Sequence, residues 1–441
     1  MRKSKFASVM KASLAATVAV SLLAGCSQGA GPSEAEDVQG AFDWKRYDGK
    51  EIRFVAGLQP WQKAIEPMIP EFEARTGIKV NVEALPEDQF RQRLQVEMTA
   101  GSDDIDVFMS SVQNDGARFA QAGWYEDLTP YVENASLTSP DYKFDDFSKS
   151  VLDGHTFEGR LSALPIQLEV QMLFYRKDLL KAAGFDAAPT TLEELETIAK
   201  KTTAEDGSVY GFSSRGKRAA AVTQLTSFLR NHGSEYMTED GKAAFNSPEG
   251  IEALKTYGRL VREYGPSGGT NNSWEELLAL FQSGRLAMWP DNSGQAAAAR
   301  DPKASSVASQ VGYAPMPAGP KGEAQTFFGW GAGISSSSAE KGASWMFLQW
   351  LTSPEVVGKL QAQGIPGGRQ SIEFGPDVPA DFVSAFKSSL VTAKPQLPAV
   401  KAVPQVRDVI GDVIVTSIQD GDVDKAAQDA AKEFDRIVAA E

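Results

Sequence analysis

The 441-residue sequence predicts an α/β protein of more than one domain. Two observations carry that expectation. Strand-like and helix-like hydrophobic periods alternate from about residue 50 onward, and the roughly 400 residues involved exceed what one hydrophobic core organises. In order, Glu51 to Ala56 (EIRFVA) is strand-like, and Trp61, Ile65, Met68, Ile69 and Phe72 follow at helical spacing. Ile78, Val80 and Val82 alternate as a strand does, Phe90, Leu94 and Met98 resume a helix, and Ile105 to Met109 is a buried strand. This β-α-β-α-β order implies a mainly parallel sheet covered by helices.

A second unit opens with Val170 to Tyr175 (VQMLFY). Helical patterns recur at Leu192, Leu195, Ile198 and Ala199; at Val222, Leu225 and Leu229; at Ile251, Leu254 and Val261; and at Trp274, Leu277, Leu278 and Phe281. Arg285 to Trp289 is strand-like. Val311 to Glu323, dense in Pro and Gly, reads as a connection. A Gly-rich strand follows from Phe327 to Ile334, then a helix through Trp345, Phe347, Leu348 and Leu351. The last helices are expected over 403–418 and 423–439, with Asp422 as N-cap of the second.

The first 25 residues read as a secretion leader. Arg2, Lys3, Lys5 and Lys11 form a positive start, and Ala12 to Ala24 form an apolar run ended by small residues. A membrane span needs roughly 20 apolar residues, so this run is too short to anchor the mature chain. Leu-Ala-Gly-Cys ends at Cys26, the only cysteine, and resembles a bacterial lipobox in which that cysteine is lipidated. Ser27 to Ala41 is small and polar, so residues 26–45 are expected to be a lipid-anchored flexible tether. The body is then exported and held on the outer side of a membrane.

Removing the four basic residues of the leader takes the formal charge from −14 to −18. Nucleic-acid binding draws on basic contacts to phosphate, so no nucleic-acid partner is expected. Only His155 and His232 exist in the chain, which argues against a catalytic triad and against a His/Cys metal site. Gly265-Pro266-Ser267-Gly268-Gly269 matches GxSxG but follows a helix instead of a strand. Asp420-Gly421-Asp422-Val423-Asp424 begins like a calcium loop, yet Lys425 and Ala431 stand where glycine and a bidentate acid belong. Gly329-Trp330-Gly331-Ala332-Gly333 lacks the third glycine of a dinucleotide loop. No acid pair is singled out for glycoside hydrolysis. The expectation is no catalysis, no cofactor and no metal.

Several segments resemble the family 1 extracellular solute-binding proteins, the carbohydrate receptors of bacterial ABC importers. The strongest is Leu161 to Gly184 (LSALPIQLEVQMLFYRKDLLKAAG) with Pro189-Thr190-Thr191-Leu192-Glu193-Glu194-Leu195 after it. Gly77 to Val80, Asp104 to Val107, Ser283 to Trp289 and Gly329 to Ile334 fall in the same order, as does Thr352 to Glu355 behind its helix. The resemblance implies a two-lobed periplasmic-binding-protein-like fold with a three-segment hinge and the ligand between the lobes. Lobe one is expected to combine 46–168 with 318–370, and lobe two 169–317 with 371–441. It also implies hinge closure, delivery to permease subunits and a monomeric chain.

In open α/β sheets ligands sit at the carboxyl ends of strands. Sugars need aromatic faces for their C–H groups and planar polar partners for their hydroxyls. Candidates that meet both conditions are Gln59 and Trp61 after the first strand and Ser110, Ser111 and Gln113 after the third. Gln167 and Glu169 lie at the first crossing, and Trp289, Asp291 and Asn292 at a later strand end. Trp330 lies among glycines that permit close approach, and Arg215 and Arg369 lie in glycine-containing loops where the resemblance places ligand contacts. Trp289 and Trp330 are the expected stacking platforms, whereas Trp345, Phe347 and Trp350 read as core and helix surface. Lys394 to Val409 has no aromatic residue, which favours a small sugar or sugar alcohol over a long oligosaccharide. The alternatives are a secreted carbohydrate-active enzyme, or the same fold binding a polyamine or another small solute.

Overall fold

The computed structural model describes residues 38–441; the leader and Cys26 lie outside the described residues. Three parallel strands begin the fold: β1 (Glu51–Gly57) lies between β2 (Lys79–Leu85) and β3 (Val107–Ser111). The β-α-β-α-β order fixes this arrangement, because parallel neighbours need crossover helices. Phe54 of β1 and Phe72 meet Phe347 at ring-centroid distances of 5.4 and 5.2 Å, so β1 and the helix after it share a core with the distant helix Lys341–Leu351. Trp345, Phe347 and Trp350 on that helix are all fully buried, Trp350 included, where a surface place was also open to it.

The next strand, β4 (Leu164–Arg176), is thirteen residues long and joins two sheets. Leu164 to Val170 pair with β7 (Thr326–Ile334), which in turn pairs with β3. Gln171 to Arg176 pair instead with β5 (Met288–Asn292) and β6 (Val311–Pro315). All of these later pairings are antiparallel, so the sheet is mixed, with parallel pairing among β1–β3 and at one short two-residue strand near the C-terminal end. Side chains alternate across β4. Leu168, Val170, Met172 and Phe174 enter one apolar core, and Gln167, Glu169 and Gln171 form a polar row on the other face.

The chain crosses again between β6 and β7, and a third time after Pro366, whose carbonyl accepts from Leu168 N at 3.0 Å. Past that point the helix Ala380–Thr392 packs on β6, and β8 (Lys394–Pro395) pairs with the start of β7. The helices Arg218–Asn231, Pro248–Tyr264 and Val403–Ile418 pack together beside β5, with Val423–Val438 outside them. Their starts follow local chemistry. Ser247 accepts from Gly250 N, and Asp422 accepts from Lys425 N at 3.0 Å, the expected N-cap.

Four expectations need adjustment. The Pro/Gly-dense segment starts as strand β6, since Val311 and Tyr313 fill the core beneath β4. The strand expected at Arg285 to Trp289 forms three residues later, as Met288–Asn292. The helix Ala380–Thr392 was not anticipated. The tether expected to run to residue 45 is docked from Val38: Phe42 meets Trp44 edge-on at 5.0 Å, and the Arg75 guanidinium sits 5.6 Å from the Trp44 ring.

Candidate binding cleft between the two sheets

The polar row of β4 sits where the two sheets meet. Glu169 is almost completely buried, and three side chains aim N–H groups at it. Gln167 Nε2 donates to Oε1 at 3.3 Å, Trp330 Nε1 donates to Oε2 at 3.3 Å, and Asn292 Nδ2 reaches Oε2 at 3.5 Å. The backbone closes in as well: a side chain at Gly294 would overlap Glu169 Oε1 and Gln167 Nε2. Burial pushes the Glu169 carboxyl up to about 7, opposed by Arg215 and reinforced by Asp291.

Next to it, Arg215 grips Asp291 through both fork nitrogens, with Nε 2.9 Å from Oδ2 and the second bond from NH2 to Oδ1. Asp291 also accepts from Trp289 Nε1 at 3.1 Å and Asn292 N at 2.7 Å. Gln396 Nε2 donates to Asn292 Oδ1 at 2.7 Å, while Gln396 N donates to Gln113 Oε1 at 3.2 Å. On the β1–β3 side, Arg91 pairs with Glu87 at 2.9 Å and with Asp115, and its guanidinium lies 5.7 Å from the Trp330 ring. Arg407 donates to Asn114 Oδ1 at 2.8 Å and to the carbonyl of Ala219.

Several buried polar atoms of this assembly have no hydrogen-bond partner among the described residues: Gln167 Oε1, Gln224 Oε1, Gln396 Oε1, Ser111 Oγ and the Trp61 indole N–H. Leaving such a group unpaired costs about 1–3 kcal/mol.

The expected residues divide. Gln167, Glu169, Arg215, Asp291, Asn292 and Trp330 are joined in one network. Gln113 clasps it, spending its amide on Gln396 N and Phe327 O. Ser110 and Ser111 are buried on β3 opposite Gly331 and Trp330. Gln59 stands apart, its Nε2 3.2 Å from Met109 Sδ.

Three aromatic and charged expectations are corrected by packing. Trp289 is not a platform: its ring is fully buried, 5.0 Å from Phe174 and 5.9 Å from Phe281, and its N–H holds Asp291. Trp61 is a core ring set edge-on to Phe54 at 6.5 Å, and its indole N–H is buried with no partner among the described residues. Arg369 spends its guanidinium on the carbonyls of Thr352, Tyr142 and Lys143 and stacks over Phe147 at 4.3 Å, so it staples a loop. The glycines of β7 also have a packing reason. A side chain at Gly331 would strike His155 at 2.8 Å, and one at Gly333 would strike Tyr125 at 2.7 Å.

Residues missed in the sequence are Glu87, Arg91, Asn114, Asp115, Gln224, Gln396 and Arg407. The Glu87–Arg91 spacing of four on a helix was a usable signal. Two surface pockets, of about 410 Å³ beside Trp44 and Tyr142 and about 390 Å³ beside Arg300 and Tyr313, share no lining residue with this network.

Comparison with known proteins settles the family. A family model of bacterial extracellular solute-binding proteins matches residues 56–358. The chain belongs to this family. It is a solute-binding protein and not an enzyme. It is 31% identical over 346 residues to a mannitol-binding protein of Pseudomonas aeruginosa, covering 76% of this chain and 77% of the relative. It is 28% identical over 374 residues to an erythritol/L-threitol-binding protein of Mycolicibacterium smegmatis, covering 80% and 77%. Among solved structures, an ABC transporter solute-binding protein of Agrobacterium vitis with bound D-mannitol superposes with a TM-score of 0.78 at 25% identity, covering 89% of this chain and 99% of that one. The maltose-bound MalE3 of T. maritima gives 0.79 at 27% identity, covering 88% and 99%. The two-lobed α/β fold expected from the sequence is therefore the fold of this chain.

Proposed function

We propose that this solute-binding protein serves an ABC-type importer, capturing a small carbohydrate or sugar alcohol between its lobes and delivering it to permease subunits. The observation that carries the reading is the buried network around Glu169, whose open amide oxygens need hydroxyl partners. The relatives named for mannitol and for erythritol or L-threitol support the ligand class. Lobe one combines 46–168 with 318–370, and lobe two 169–317 with 371–441; β4 is the first hinge segment. The body is a monomer held by lipid on Cys26 at the extracytoplasmic face of the cell membrane. Gln113, Gln167, Glu169, Arg215, Asp291, Asn292 and Trp330 form the site.

A thermal-shift screen against monosaccharides, disaccharides, alditols and polyamines tests this. A ligand that binds only the folded state raises stability by RT ln(1 + [L]/Kd), about 2.7 kcal/mol at one hundred times Kd. A sugar or alditol is expected to shift melting and to shrink the radius of gyration in X-ray scattering. A shift with polyamines alone would overturn the carbohydrate reading.

A further inference from the structure

We infer that the ligand is an acyclic polyol, recognised by amide oxygens and the Glu169 carboxyl and not by stacking on an aromatic ring. This rests on the reading of the cleft as a carbohydrate site and narrows it.

The first ground is the state of the three indoles. A pyranose presents a flat C–H face and gains most when it covers an aromatic ring. Trp61 and Trp289 are enclosed in hydrophobic cores. Trp330 carries the Arg91 guanidinium over its ring at 5.7 Å and Phe328 edge-on at 5.5 Å. None of the three offers a bare platform. A linear chain of CHOH groups has no flat face and loses nothing by the lack of one.

The second ground is the sense of the open groups. Gln167 Oε1, Gln224 Oε1 and Gln396 Oε1 are acceptors, each fully or almost fully buried. Their amide nitrogens are already committed, to Glu169, Asp291 and Asn292 respectively. The guest must therefore bring several donors along its length, which a row of hydroxyls does.

The third ground is charge. Arg91, Arg215 and Arg407 crowd the same region, and burial with Arg91 alongside lowers Arg407 to about 10. Glu87, Asp115 and Asp291 answer two of the guanidiniums directly. With Glu169, four carboxyl groups face these three guanidiniums, so the charges are answered within the site and it suits a neutral chain.

Calorimetry on the purified protein with matched pairs tests this: D-mannitol against D-mannose, ribitol against D-ribose, and maltose as a ring-only probe. At least one four- to six-carbon alditol is expected to bind ten times or more tighter than its ring partner, with maltose weaker still. Glu169→Gln is expected to weaken that alditol at least tenfold while the fold, checked by circular dichroism, is kept. Ring sugars binding as tightly as alditols would overturn the inference and leave the carbohydrate reading standing. Failure of both classes would overturn both. An unchanged alditol affinity in Glu169→Gln would remove the carboxyl from the recognition scheme and overturn the inference as stated.

Discussion

The Trp330 indole donates its N–H to Glu169 Oε2 at 3.3 Å, a bond that ties β7 to the crossing strand β4 at the junction of the two sheets. Gln167, Asn292 and the Arg215–Asp291 pair gather about the same carboxyl. Its environment yields the first prediction.

Burial raises the folded-state value of Glu169 from 4.5 to about 7. A carboxyl raised on folding stabilises the fold below its unfolded value and loses that contribution as pH rises through its folded value. The window is therefore about pH 4.5 to 7, and the amplitude is on the order of 3 kcal/mol. Urea unfolding at pH 5 and pH 8 should show lower stability at pH 8 for the apo protein, with a flatter profile in Glu169→Gln. Identical profiles for the two proteins would contradict the buried position of this group.

Trp289 and Trp345 should behave alike in stability and differently in binding. Both are fully buried, and truncation to alanine should cost about 3–5 kcal/mol in each. Trp345 Nε1 donates to the Leu137 carbonyl at 3.1 Å, within the hydrophobic core and away from the Glu169 network, so its loss should leave affinity unchanged. Trp289→Phe keeps most of the ring volume but removes the N–H that holds Asp291, so it should weaken ligand binding with a smaller loss of stability. Wild-type affinity in Trp289→Phe would separate Asp291 from recognition.

The Arg215–Asp291 pair is buried and doubly bonded. Arg215→Met leaves the Asp291 carboxylate without its cation and should cost about 3–5 kcal/mol. The double variant Arg215→Met, Asp291→Asn should recover part of that loss, because it removes both charges together. A double-mutant cycle in urea gives the coupling. Additive losses would mean the pair contributes no mutual stabilisation.

Cys26 is predicted to carry the membrane anchor. Cys26→Ala should move the protein from the membrane fraction to the soluble one without changing its affinity for ligand, since the cleft residues lie far along the chain. Retention in the membrane fraction would show a different mode of attachment.

Strand and helix periods made most of the fold legible, because residues such as Ile52, Phe54 and Val55 or Leu254, Tyr257 and Val261 are buried at the spacing their elements impose. Asp291 and Asn292 were singled out because strand ends are where α/β sheets hold ligands, and Glu169 because a crossing was expected there; β4 makes that crossing, pairing with β7 before Gln171 and with β5 and β6 after it. Exposure was not legible. Trp289 has polar neighbours in sequence, yet Phe174 and Phe281, over one hundred residues before it and eight before it, decide its burial. Gln396 and Arg407 were hidden for the same reason: each meets the cleft through partners such as Asn292 and Asn114, which no local pattern connects to them.

The pairing of β3 with β7 bears on how the chain is made. Val107 to Ser111 wait for Trp330 to Ile334, so the sheet of β1–β3 keeps an open edge while about two hundred further residues are synthesised. Neither sheet can be finished in the order of translation, since β4 contributes to both before β5, β6 and β7 exist. The geometry that places Glu169 at the junction thus makes completion of the sheet that joins β3 to β4 depend on β7, a strand more than three hundred residues into the chain.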